Sequence, residues 1–587
     1  MTCSPNGFSI QIRSWIEKIA RSRIPRPHWI NLAVGVGMTP AILAGGSAVA
    51  ADYVRVQFGP VELSISIDSL ETFVTEGTVE DDLAAYARRL NDERLSEIRQ
   101  LLVTPADLDA IALSNFLYTR QGEILLERLG NIVRTESNSG FYALRAALIL
   151  SATSADGLTP LNVLQQFPTS SIVIDVERAL AIVRELERLI NTTSEAIALV
   201  ENQFESNIGS NSPGIDPTTD FSDLGPLRWQ EQTFNLNDQG RDRSFQVDLY
   251  VPNISEQAPV IVISHGLGSD RTSFSYLAQH LASYGFAVIA PEHPGSNAEY
   301  IQALFTGAAT QVADPSEFVD RALDVKYTLD ELERRSRAES QLQGRLDLDN
   351  VGVIGQSFGG YTALALAGAT INFQQLEQDC PQGDVQEDTL NLSLLLQCRA
   401  LGLDSPIPNL KEDRVKSVIA INPIGSTVFG KKGFETIDVP VMLVSGSADI
   451  VAPTLIEQIL PFSWLQVPNK YLLLIQNSTH FSTIGRSSES SETLLLPPEI
   501  IGPQPQLAQQ YVEALSVTFF RAFVTDQSQY QAYLTPAYIN RISQAPLPLN
   551  LVQTINSEQL TRVLKQNALV LSASREQRSR VRRARFD

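Results

Sequence analysis

The second half of the chain alternates short, continuous apolar segments with longer amphipathic ones, and this alternation restricts the fold more than any other feature. Each apolar segment is four to seven residues long and most are rich in β-branched side chains. The segments are Phe245–Val251, Val260–Ser264, Ala287–Ala290, Val351–Ile354, Val415–Ile421, Val441–Val444 and Leu472–Ile475. Apolar strands separated by helices are typical of a parallel sheet that is covered on both sides. The sequence therefore predicts an α/β fold with a mainly parallel sheet and helices on both faces.

The first half of the chain has a different pattern. Residues 53–58 and 61–67 alternate apolar with polar side chains and predict a hairpin that turns at Gly59–Pro60. From residue 68 to about 203 the apolar period changes to 3.6 residues, which indicates amphipathic helices. A stretch rich in Gly, Ser, Pro and Asn follows and has no periodicity. We predict a mostly helical domain at 51–204, a linker at 205–222, the α/β domain at 223–545 and an extension with a basic tail at 546–587.

The first 50 residues carry the features of a secretory signal. Four Arg and one Lys precede an uncharged stretch, 29–51, which ends in the small residues of Ser47–Ala51. A positive segment, an apolar segment and a small-residue end predict a signal peptide cleaved after Ala50, and therefore export to the periplasm, the cell envelope or the exterior. The alternative is an uncleaved membrane anchor of similar length.

Charge restricts the partners. The chain has 45 Lys and Arg against 66 Asp and Glu, a formal net charge of −21. Because nucleic-acid binding requires clustered cations that displace counterions from phosphates, this balance argues against a nucleic-acid partner. Six Arg near the C-terminus predict a frayed basic tail, and peripheral contact with an anionic membrane surface is the alternative.

Ser357 lies in the strongest functional motif, Gly355-Gln356-Ser357-Phe358-Gly359. The motif directly follows an apolar strand and begins an Ala- and Leu-rich helix, which is the context that a nucleophile elbow requires. Gly355 and Gly359 permit the tight turn, and a helix N-terminus favours negative charge beside the serine. The motif predicts that Ser357 is a nucleophile. The alternative is a glycine-rich turn in a non-catalytic sheet.

A serine nucleophile needs a base, and the base needs an orienting acid. Four histidines follow residue 50: His265, His280, His293 and His480. Only His480 comes after Ser357, as the order Ser…Asp/Glu…His demands, and it lies in a loop just past an apolar strand. The other histidines have structural explanations: His280 lies in an amphipathic helix, and His293 either lines the cleft or shapes a turn.

Asp449 is the best-placed acid. It follows the strand Val441–Val444 in a loop of small residues, so it would meet His480 at the carboxyl edge of the sheet. The alternative is that Asp449 only caps the helix after Pro453. Asp404, Glu412 and Asp413 precede a strand and are weaker candidates.

An oxyanion hole requires two backbone N–H donors. Phe358, directly after the nucleophile, supplies one, and we assign the other to Leu267 in the loop after the strand Val260–Ser264. His265 and Gly266 are predicted to shape this loop.

Cys380 and Cys398 are the two cysteines past residue 50, and they are 18 residues apart. In an oxidising compartment a disulfide between them would contribute about 3 kcal/mol, whereas two free buried thiols are the alternative. They lie in an excursion, residues 371–413, with five leucines between 390 and 396. This excursion is either a lid over an acyl chain or buried packing. With so few clustered ligands, no metal and no cofactor is expected.

At these residues the chain resembles the α/β-hydrolase superfamily and, more narrowly, the platelet-activating-factor acetylhydrolase and predicted dienelactone hydrolase group. The similar segments are His265–Arg271, Leu281–Val288 and Gly355–Gly360. One departure matters, because the acetylhydrolases place their acid after the strand that follows the elbow, where this chain has Asn422. Asp449 is the position used by dienelactone-type relatives. Residues 52–190 resemble an uncharacterised helical region ahead of such hydrolases in exported bacterial proteins, which implies no function.

Together these features predict an exported serine esterase or lipase that cleaves a small-molecule or lipid ester, such as a phospholipid or a dienelactone-like ester, through an acyl-enzyme. A binding or scaffold protein is the alternative, in which the helical domain is the working part and the hydrolase site is vestigial. The presence of all three side chains and both oxyanion loops argues against it. A peptidase that uses the same residues is the third hypothesis.

Overall fold

The computed structural model of the chain describes residues 50–58, 61–88, 90–106, 108–209, 219–380, 391–486 and 498–565. Several predictions fall outside these residues: the signal segment up to residue 49, the turn at Gly59–Pro60, the centre of the linker, Leu390 and the basic tail. In the described residues, no helix is both long enough and apolar enough to cross a membrane.

The chain divides into two compact units. One comprises the residues up to Val183 with Leu304–Thr310, and the other comprises Arg184–Ala303 with the residues from Gln311 onward. The division falls inside the helix Val176–Asn207, upstream of the predicted boundary at residue 204. The second part of this helix belongs to the second unit, where Glu201 Oε1 accepts a hydrogen bond from Gln476 Nε2 at 2.6 Å.

The first unit combines helices with a small sheet. Its strands are β1 (Tyr53–Phe58), β2 (Val61–Ser66), β3 (Val133–Arg134) and β4 (Ser171–Asp175), in the order β2-β1-β4-β3. Strands β1 and β2 are antiparallel, which confirms the predicted hairpin. The helices are Ile67–Glu76, Asp81–Ala87, Asp92–Val103, Ala110–Leu117, Arg120–Ile132, Phe141–Thr153 and Pro160–Gln165. Serine, threonine, asparagine and aspartate side chains cap several of these helices, and apolar residues such as Leu126, Ala147 and Phe167 fill the core.

The second unit is built on a nine-stranded sheet. Its strands are β5 (Trp229–Asp238), β6 (Arg243–Pro252), β7 (Ala258–Ser264), β8 (Ala287–Pro291), β9 (Leu346–Gln356), β10 (Val415–Ile421), β11 (Val441–Gly446), β12 (Lys470–Ile475) and β13 (Leu549–Val552). The order is β13-β12-β11-β10-β9-β7-β8-β6-β5. The six central strands, from β12 to β8, are parallel, and the outer strands pair antiparallel.

Helices connect these strands. They are Ser275–Ser283, Ala298–Phe305, Glu317–Ala338, Phe358–Leu366, Phe373–Asp379, Leu394–Gln397, Gly430–Phe434, Leu460–Trp464, Pro498–Ile501, Pro505–Phe523 and Pro536–Ile542, with shorter 3₁₀ or π turns at Cys398–Gly402, Thr454–Ile459 and Ser528–Tyr533. A large, mostly parallel sheet with connecting helices and a helical N-terminal region confirms the predicted fold class.

Two strands at the edges of the sheet were not predicted. Strand β5 is rich in Gln, Glu, Thr and Asn and is largely exposed, so it lacks the apolar pattern of its neighbours. Strand β13 has only four residues and lies past residue 545, where we placed the end of the α/β domain. The sheet therefore extends into the predicted C-terminal extension.

The parallel strands bring the candidate residues to one edge of the sheet. Ser357 directly follows β9, and the loop of His265 directly follows β7, its neighbour in the sheet. Asp449 lies three residues past β11, and His480 lies five residues past the adjacent β12. Because the carboxyl ends of parallel strands meet at the same edge, this topology positions the whole site.

Candidate active site

Ser357 has a backbone conformation that few non-glycine residues adopt. Its φ is +56° and its ψ is −115°, between the last strand residue Gln356 and the helix that begins at Phe358. Its N–H donates to the carbonyl of Ile421 at the end of β10, at 2.8 Å, and its carbonyl accepts from the N–H of Tyr361 at 3.0 Å. Only 8% of Ser357 is exposed. The turn is thus a strained elbow held at both ends, as reactive serines require.

The glycines beside Ser357 leave no room for a side chain. A Cβ at Gly355 would lie 2.1 Å from the carbonyl oxygen of Gly359, and a Cβ at Gly359 would lie 1.9 Å from the carbonyl oxygen of Ser264. The start of the helix therefore packs directly on the end of β7. This close approach explains why glycine is needed at both positions of the motif.

His480 and Asp449 form a buried pair. Their Nδ1 and Oδ2 atoms are 2.7 Å apart, and both residues are buried. Because a carboxylate can only accept, this contact places the proton on Nδ1 and leaves Nε2 as the basic nitrogen. The other oxygen of Asp449 accepts from the N–H groups of Val451 and Ala452, at 2.8 Å each. Asp449 therefore orients the imidazole and caps its own loop, whereas the helix after Pro453, which the alternative has it cap, receives no side-chain hydrogen bond from the described residues at its N-terminus.

Two amide side chains hold the backbone of His480 beside the elbow. Gln356, the residue before Ser357, donates from Nε2 to the His480 carbonyl at 2.9 Å. Asn422 donates from Nδ2 to the carbonyls of Thr479 and His480, at 3.2 and 3.4 Å, and its Oδ1 accepts from the N–H of Gly446 at 2.8 Å. Asn422 thus braces both the histidine loop and the strand that leads to Asp449.

The loop after β7 lies against the elbow. A Cβ added at Gly266 would be 2.4 Å from Oε1 of Gln356 and 3.5 Å from Cβ of Ser357. Among the described residues, the N–H groups of Leu267 and Phe358 have no hydrogen-bond acceptor. These are the two donors that the sequence assigns to an oxyanion hole, and both remain available to a ligand.

His265 shapes this loop as a neutral imidazole. Its Nδ1 donates to the carbonyl of Gly266 at 2.8 Å, and its Nε2 accepts from the N–H of His293 at 3.1 Å. Burial and the nearby Arg321 cation lower the pKa of His265 to about 3. A neutral ring whose two nitrogens both bond to backbone groups therefore fixes the loop.

A buried polar network lies under the loop. His293 is fully buried and bridges Ser264 and Asp324, at 3.0 Å from Oγ and 3.0 Å from Oδ2. Asp324 also accepts from Arg241 and Arg243, at 2.8 to 2.9 Å. Burial raises the pKa of Asp324 to about 6 and pushes that of His293 well below its ordinary value. His293 therefore helps to hold the loop after β7 in place.

This network was not predicted, although the sequence of the helix Glu317–Ala338 contains a signal for it. The helix Glu317–Ala338 buries Phe318, Ala322 and Val325, and Arg321 and Asp324 lie among them at the same helical spacing. Charged side chains inside an apolar stripe indicate a buried ion network.

The remaining sequence candidates lie elsewhere. Glu412 pairs with Arg414 at 2.8 Å, and His280 donates from Nε2 to the carbonyl of Phe221 at 2.9 Å. Neither has a hydrogen bond to the elbow, and both have structural partners. Among the described residues, no cluster of three His, Cys, Asp or Glu side chains could hold a metal ion.

The described part of the excursion is packed and cross-linked. Cys380 and Cys398 form a disulfide, with their Cα atoms 5.7 Å apart. Leu394 and Leu396 are buried, whereas Leu392 is exposed. Residues 381–390 of the excursion are outside the described residues.

The side chain of Glu457 holds the described part of the excursion through hydrogen bonds. It is buried, and its Oε1 accepts from Asn391, Ser393 and Gln397 of the excursion at 2.6 to 2.9 Å. Its Oε2 accepts from the N–H groups of Gly425 and Ser426 at 3.1 Å, in the loop after β10. The excursion is thus bonded to the loops that surround the site.

Comparisons with known proteins give two family matches. The family described as "Alpha/beta hydrolase of unknown function (DUF1400)" matches residues 50–175, which form most of the first unit. The family described as "Platelet-activating factor acetylhydrolase, isoform II" matches residues 247–339. This second match includes the loop of His265, together with His293 and Asp324 of the buried network, but ends before Ser357.

Curated relatives point the same way. The chain is similar to the platelet-activating factor acetylhydrolases of Bos taurus, at 29% identity over 140 residues, and Canis lupus familiaris, at 33% over 141 residues. Each match covers 19% of this chain and 32% of the relative, so the chain spans about a third of the length of these relatives. The matches and the fold agree on an α/β-hydrolase.

Proposed function

We propose that this chain, an α/β-hydrolase of a group close to the platelet-activating factor acetylhydrolases, hydrolyses carboxylic esters through an acyl-enzyme on Ser357. One observation carries the proposal: the buried 2.7 Å contact between His480 and Asp449, at the edge of the sheet where the strained elbow presents Ser357. The contact leaves Nε2 of His480 as the proton acceptor that a serine nucleophile needs.

In the first half of the reaction, Oγ of Ser357 attacks the ester carbonyl carbon while its proton passes to Nε2 of His480. The carbonyl oxygen becomes an oxyanion, which the N–H groups of Leu267 and Phe358 stabilise. The tetrahedral intermediate then breaks its bond to the alkoxy oxygen. That oxygen takes the proton from His480 and leaves as the alcohol, and the acyl group remains on Oγ.

In the second half, water replaces the alcohol. Nε2 of His480 takes one proton from the water as its oxygen attacks the acyl carbon, and the same two N–H groups hold the second oxyanion. The bond to Oγ breaks, Ser357 regains its proton and the carboxylic acid leaves. Asp449 stabilises the imidazolium in both halves and keeps the ring in the required orientation.

We further propose a lipid ester with a short acyl group as the first substrate class to test. The relatives are named for the hydrolysis of an acetyl group from platelet-activating factor. The candidate acid of this chain, Asp449, lies after β11, whereas the residue after β10 is Asn422, so dienelactone-like esters are the second class. Turnover of a short-acyl phospholipid beside that of a dienelactone separates the two classes.

Export through an N-terminal signal is a related proposal. The Cys380–Cys398 disulfide supports it, because structural disulfides persist mainly in oxidising compartments. N-terminal sequencing of the protein recovered outside the cytoplasm would test it, with a new terminus at Ala51 as the expected result.

The enzyme proposal is tested by labelling the chain from Ala51 onward with a fluorophosphonate, beside Ser357→Ala, and by assaying both with p-nitrophenyl esters. We expect labelling and turnover in the wild type, and a loss of about 10⁶-fold in kcat for Ser357→Ala. A folded wild type that neither labels nor turns over any ester would contradict the proposal. Binding of a partner to the first unit alone would then favour the scaffold alternative.

A further inference from the structure

Arg321 is fully buried and touches the loop that carries Leu267. Its side chain, 0% exposed, rises from the helix Glu317–Ala338. One terminal nitrogen donates to the carbonyl of His265, two residues before Leu267. The other donates to Oγ of Ser296 at 2.6 Å, and the carbonyl of Ser296 accepts from the N–H of Gly268 at 2.9 Å. The guanidinium therefore fixes the loop on both sides of Leu267.

The same guanidinium touches the elbow. Its carbon lies 4.7 Å from the centroid of the Phe358 ring, and its Nε donates to Oγ1 of Thr362 at 3.2 Å, one turn along the helix. A cation over an aromatic face is attracted by the ring. One rigid, planar group thus contacts both segments whose N–H groups are the candidate oxyanion donors.

The charge of Arg321 is unusual in its surroundings. Arg241 and Arg243 pair directly with carboxylates, at 2.9 Å or less from Asp324. Among the described residues, no carboxylate oxygen lies within 4 Å of Arg321. Burial lowers its pKa to about 10, so it stays cationic at neutral pH. Arg321 is therefore a buried cation that contacts both donor segments and that donates hydrogen bonds, in the described part of the chain, only to neutral oxygen atoms.

We propose that Arg321 is a positioning residue for the oxyanion hole, which holds Leu267 and Phe358 so that their N–H groups converge and which adds a buried positive charge behind them. This inference rests on the proposed ester hydrolysis. Oxyanion stabilisation depends on donors that are fixed before the reaction, and a shift of about 1 Å in such a group costs about 10²-fold in rate. The fork of Arg321 is the group that couples the two donors.

The test uses the full chain with Arg321→Met, Arg321→Lys and a matched control, Arg414→Met. Arg414 also sits in an ion network, with Glu412 and Asp330 at 2.8 and 2.7 Å, but has no hydrogen bond to the elbow or to the His265 loop. Active sites are counted by the endpoint of fluorophosphonate labelling, so that a smaller folded fraction does not alter the constants. Turnover of p-nitrophenyl acetate gives kcat and KM for each variant.

The decisive measurement compares two inhibitors, an alkyl trifluoromethyl ketone and the matching methyl ketone. The first adds Ser357 and forms a hemiketal oxyanion, whereas the second binds largely as the unreacted ketone. We expect Arg321→Met to lower kcat by about 10²-fold, with KM within about threefold, and to weaken the trifluoromethyl ketone in parallel. Binding of the methyl ketone should not change. Arg321→Lys keeps the charge without the fork and should lose about tenfold.

If Arg321→Met does not fold, as the absence of a cooperative thermal transition would show, the same comparison on Arg321→Lys decides. A folded Arg321 variant with wild-type kcat and wild-type preference for the trifluoromethyl ketone overturns the inference. An equal loss in Arg414→Met also overturns it, because the effect would then be general. A wild type without labelling or turnover would overturn the proposed function itself, which is a distinguishable result.

Discussion

Asp449 contacts His480 with one carboxylate oxygen and its own loop with the other. Oδ2 accepts from Nδ1 of His480 at 2.7 Å, while Oδ1 accepts from the N–H groups of Val451 and Ala452 at 2.8 Å. The orientation of the acid is therefore set by the backbone of the loop after β11. Since the two functions use different atoms, two substitutions can separate them.

We expect Asp449→Asn to abolish most activity while preserving the loop. The amide oxygen can still accept from Val451 and Ala452, but the amide nitrogen cannot accept from Nδ1 and favours the wrong tautomer of His480. A loss of about 10⁴-fold in kcat is expected, with a change in stability below about 1 kcal/mol. Asp449→Ala should lose similar activity and a further 1–2 kcal/mol or so, because the cap is removed as well. Ester assays and urea unfolding of both variants check this, and equal stability of the two would contradict the capping role.

Asn422 leads to a prediction about where in this site an acid can act. Its Nδ2 donates to two carbonyl oxygens, those of Thr479 and His480. A carboxylate at this position would place a second acceptor oxygen, instead of the donor Nδ2, against the two carbonyl oxygens. We therefore expect Asn422→Asp to cost about 1–3 kcal/mol and not to restore activity to Asp449→Asn.

The matched control for this experiment is Asn422→Ala, which removes the same hydrogen bonds without adding charge. Urea unfolding ranks the three proteins, with Asn422→Asp expected to be no more stable than Asn422→Ala. Recovery of turnover in the Asn422→Asp, Asp449→Asn double variant would show that the site accepts an acid after either strand, contrary to this prediction.

How much of this site a sequence can reveal depends on whether its contacts are local. Ser357, Asp449 and His480 could be selected because they follow apolar strands by one, three and five residues, and parallel strands deliver such residues to one edge. The contact of Arg321 with the carbonyl of His265 joins residues 56 apart, and no local pattern specifies such a pair. The same holds for Glu457 and Asn391, which are 66 apart.

The edges of the fold escaped prediction for a related reason. Strand β5 pairs with β6 through ten residue pairs. The side chains of β5 are nevertheless polar and largely exposed, so its sequence lacks the apolar pattern from which a strand is predicted. The central strands are buried on both faces, and they therefore have the continuous apolar sequences from which they were predicted. Sequence therefore predicted the middle of the sheet better than its rim.

Glu457 makes the packing of the excursion testable. Each of its oxygens faces only donors, from Asn391, Ser393 and Gln397 on one side and from Gly425 and Ser426 on the other. Glu457→Gln must turn an NH₂ group toward at least two of these donors. We expect a loss of about 2 kcal/mol or more in the free energy of unfolding.

The control is the Cys380→Ser, Cys398→Ser double variant, which releases the covalent link and should lose about 3 kcal/mol in the chain-entropy description. Limited proteolysis maps where each variant opens, with cleavage between residues 391 and 402 expected for Glu457→Gln. If Glu457→Gln unfolds like the wild type and instead changes acyl-length preference, this segment acts as a lid rather than as packing.

His265 predicts how stability depends on pH. Its pKa is about 3 in the folded protein, because burial and Arg321 disfavour the charged ring, against an ordinary value of 6.5. Between about pH 3 and pH 6.5, His265 therefore binds a proton in the unfolded chain but not in the folded protein. The stabilisation is present above pH 6.5 and is lost as pH falls toward 3, at up to about 1.4 kcal/mol per pH unit.

Glu292 opposes this trend and must be separated from it. Burial raises its pKa to about 7 from 4.5, so its contribution is present below pH 4.5 and is lost as pH rises toward 7. Between pH 4.5 and 6.5 the two slopes therefore have opposite signs, and the wild type alone is uninformative. The difference between wild type and His265→Asn cancels the titrations that the substitution leaves unaltered, and asparagine can still donate to the carbonyl of Gly266. The same pair on the Glu292→Gln background removes the titration of Glu292, whose Oε1 lies 3.4 Å from Nε2 of His265.

Urea unfolding of the chain from Ala51 onward, followed by tryptophan fluorescence, gives this difference. Both tryptophans past residue 50, Trp229 and Trp464, lie in the second unit, so the signal reports the unit that contains His265. We expect the wild type to be the more stable protein at pH 7, and its advantage over His265→Asn to shrink steadily between pH 6.5 and 4.5. Parallel stability curves would mean that the imidazole becomes protonated in the folded protein, and the loop that carries Leu267 would then hold a charge beside the Arg321 cation.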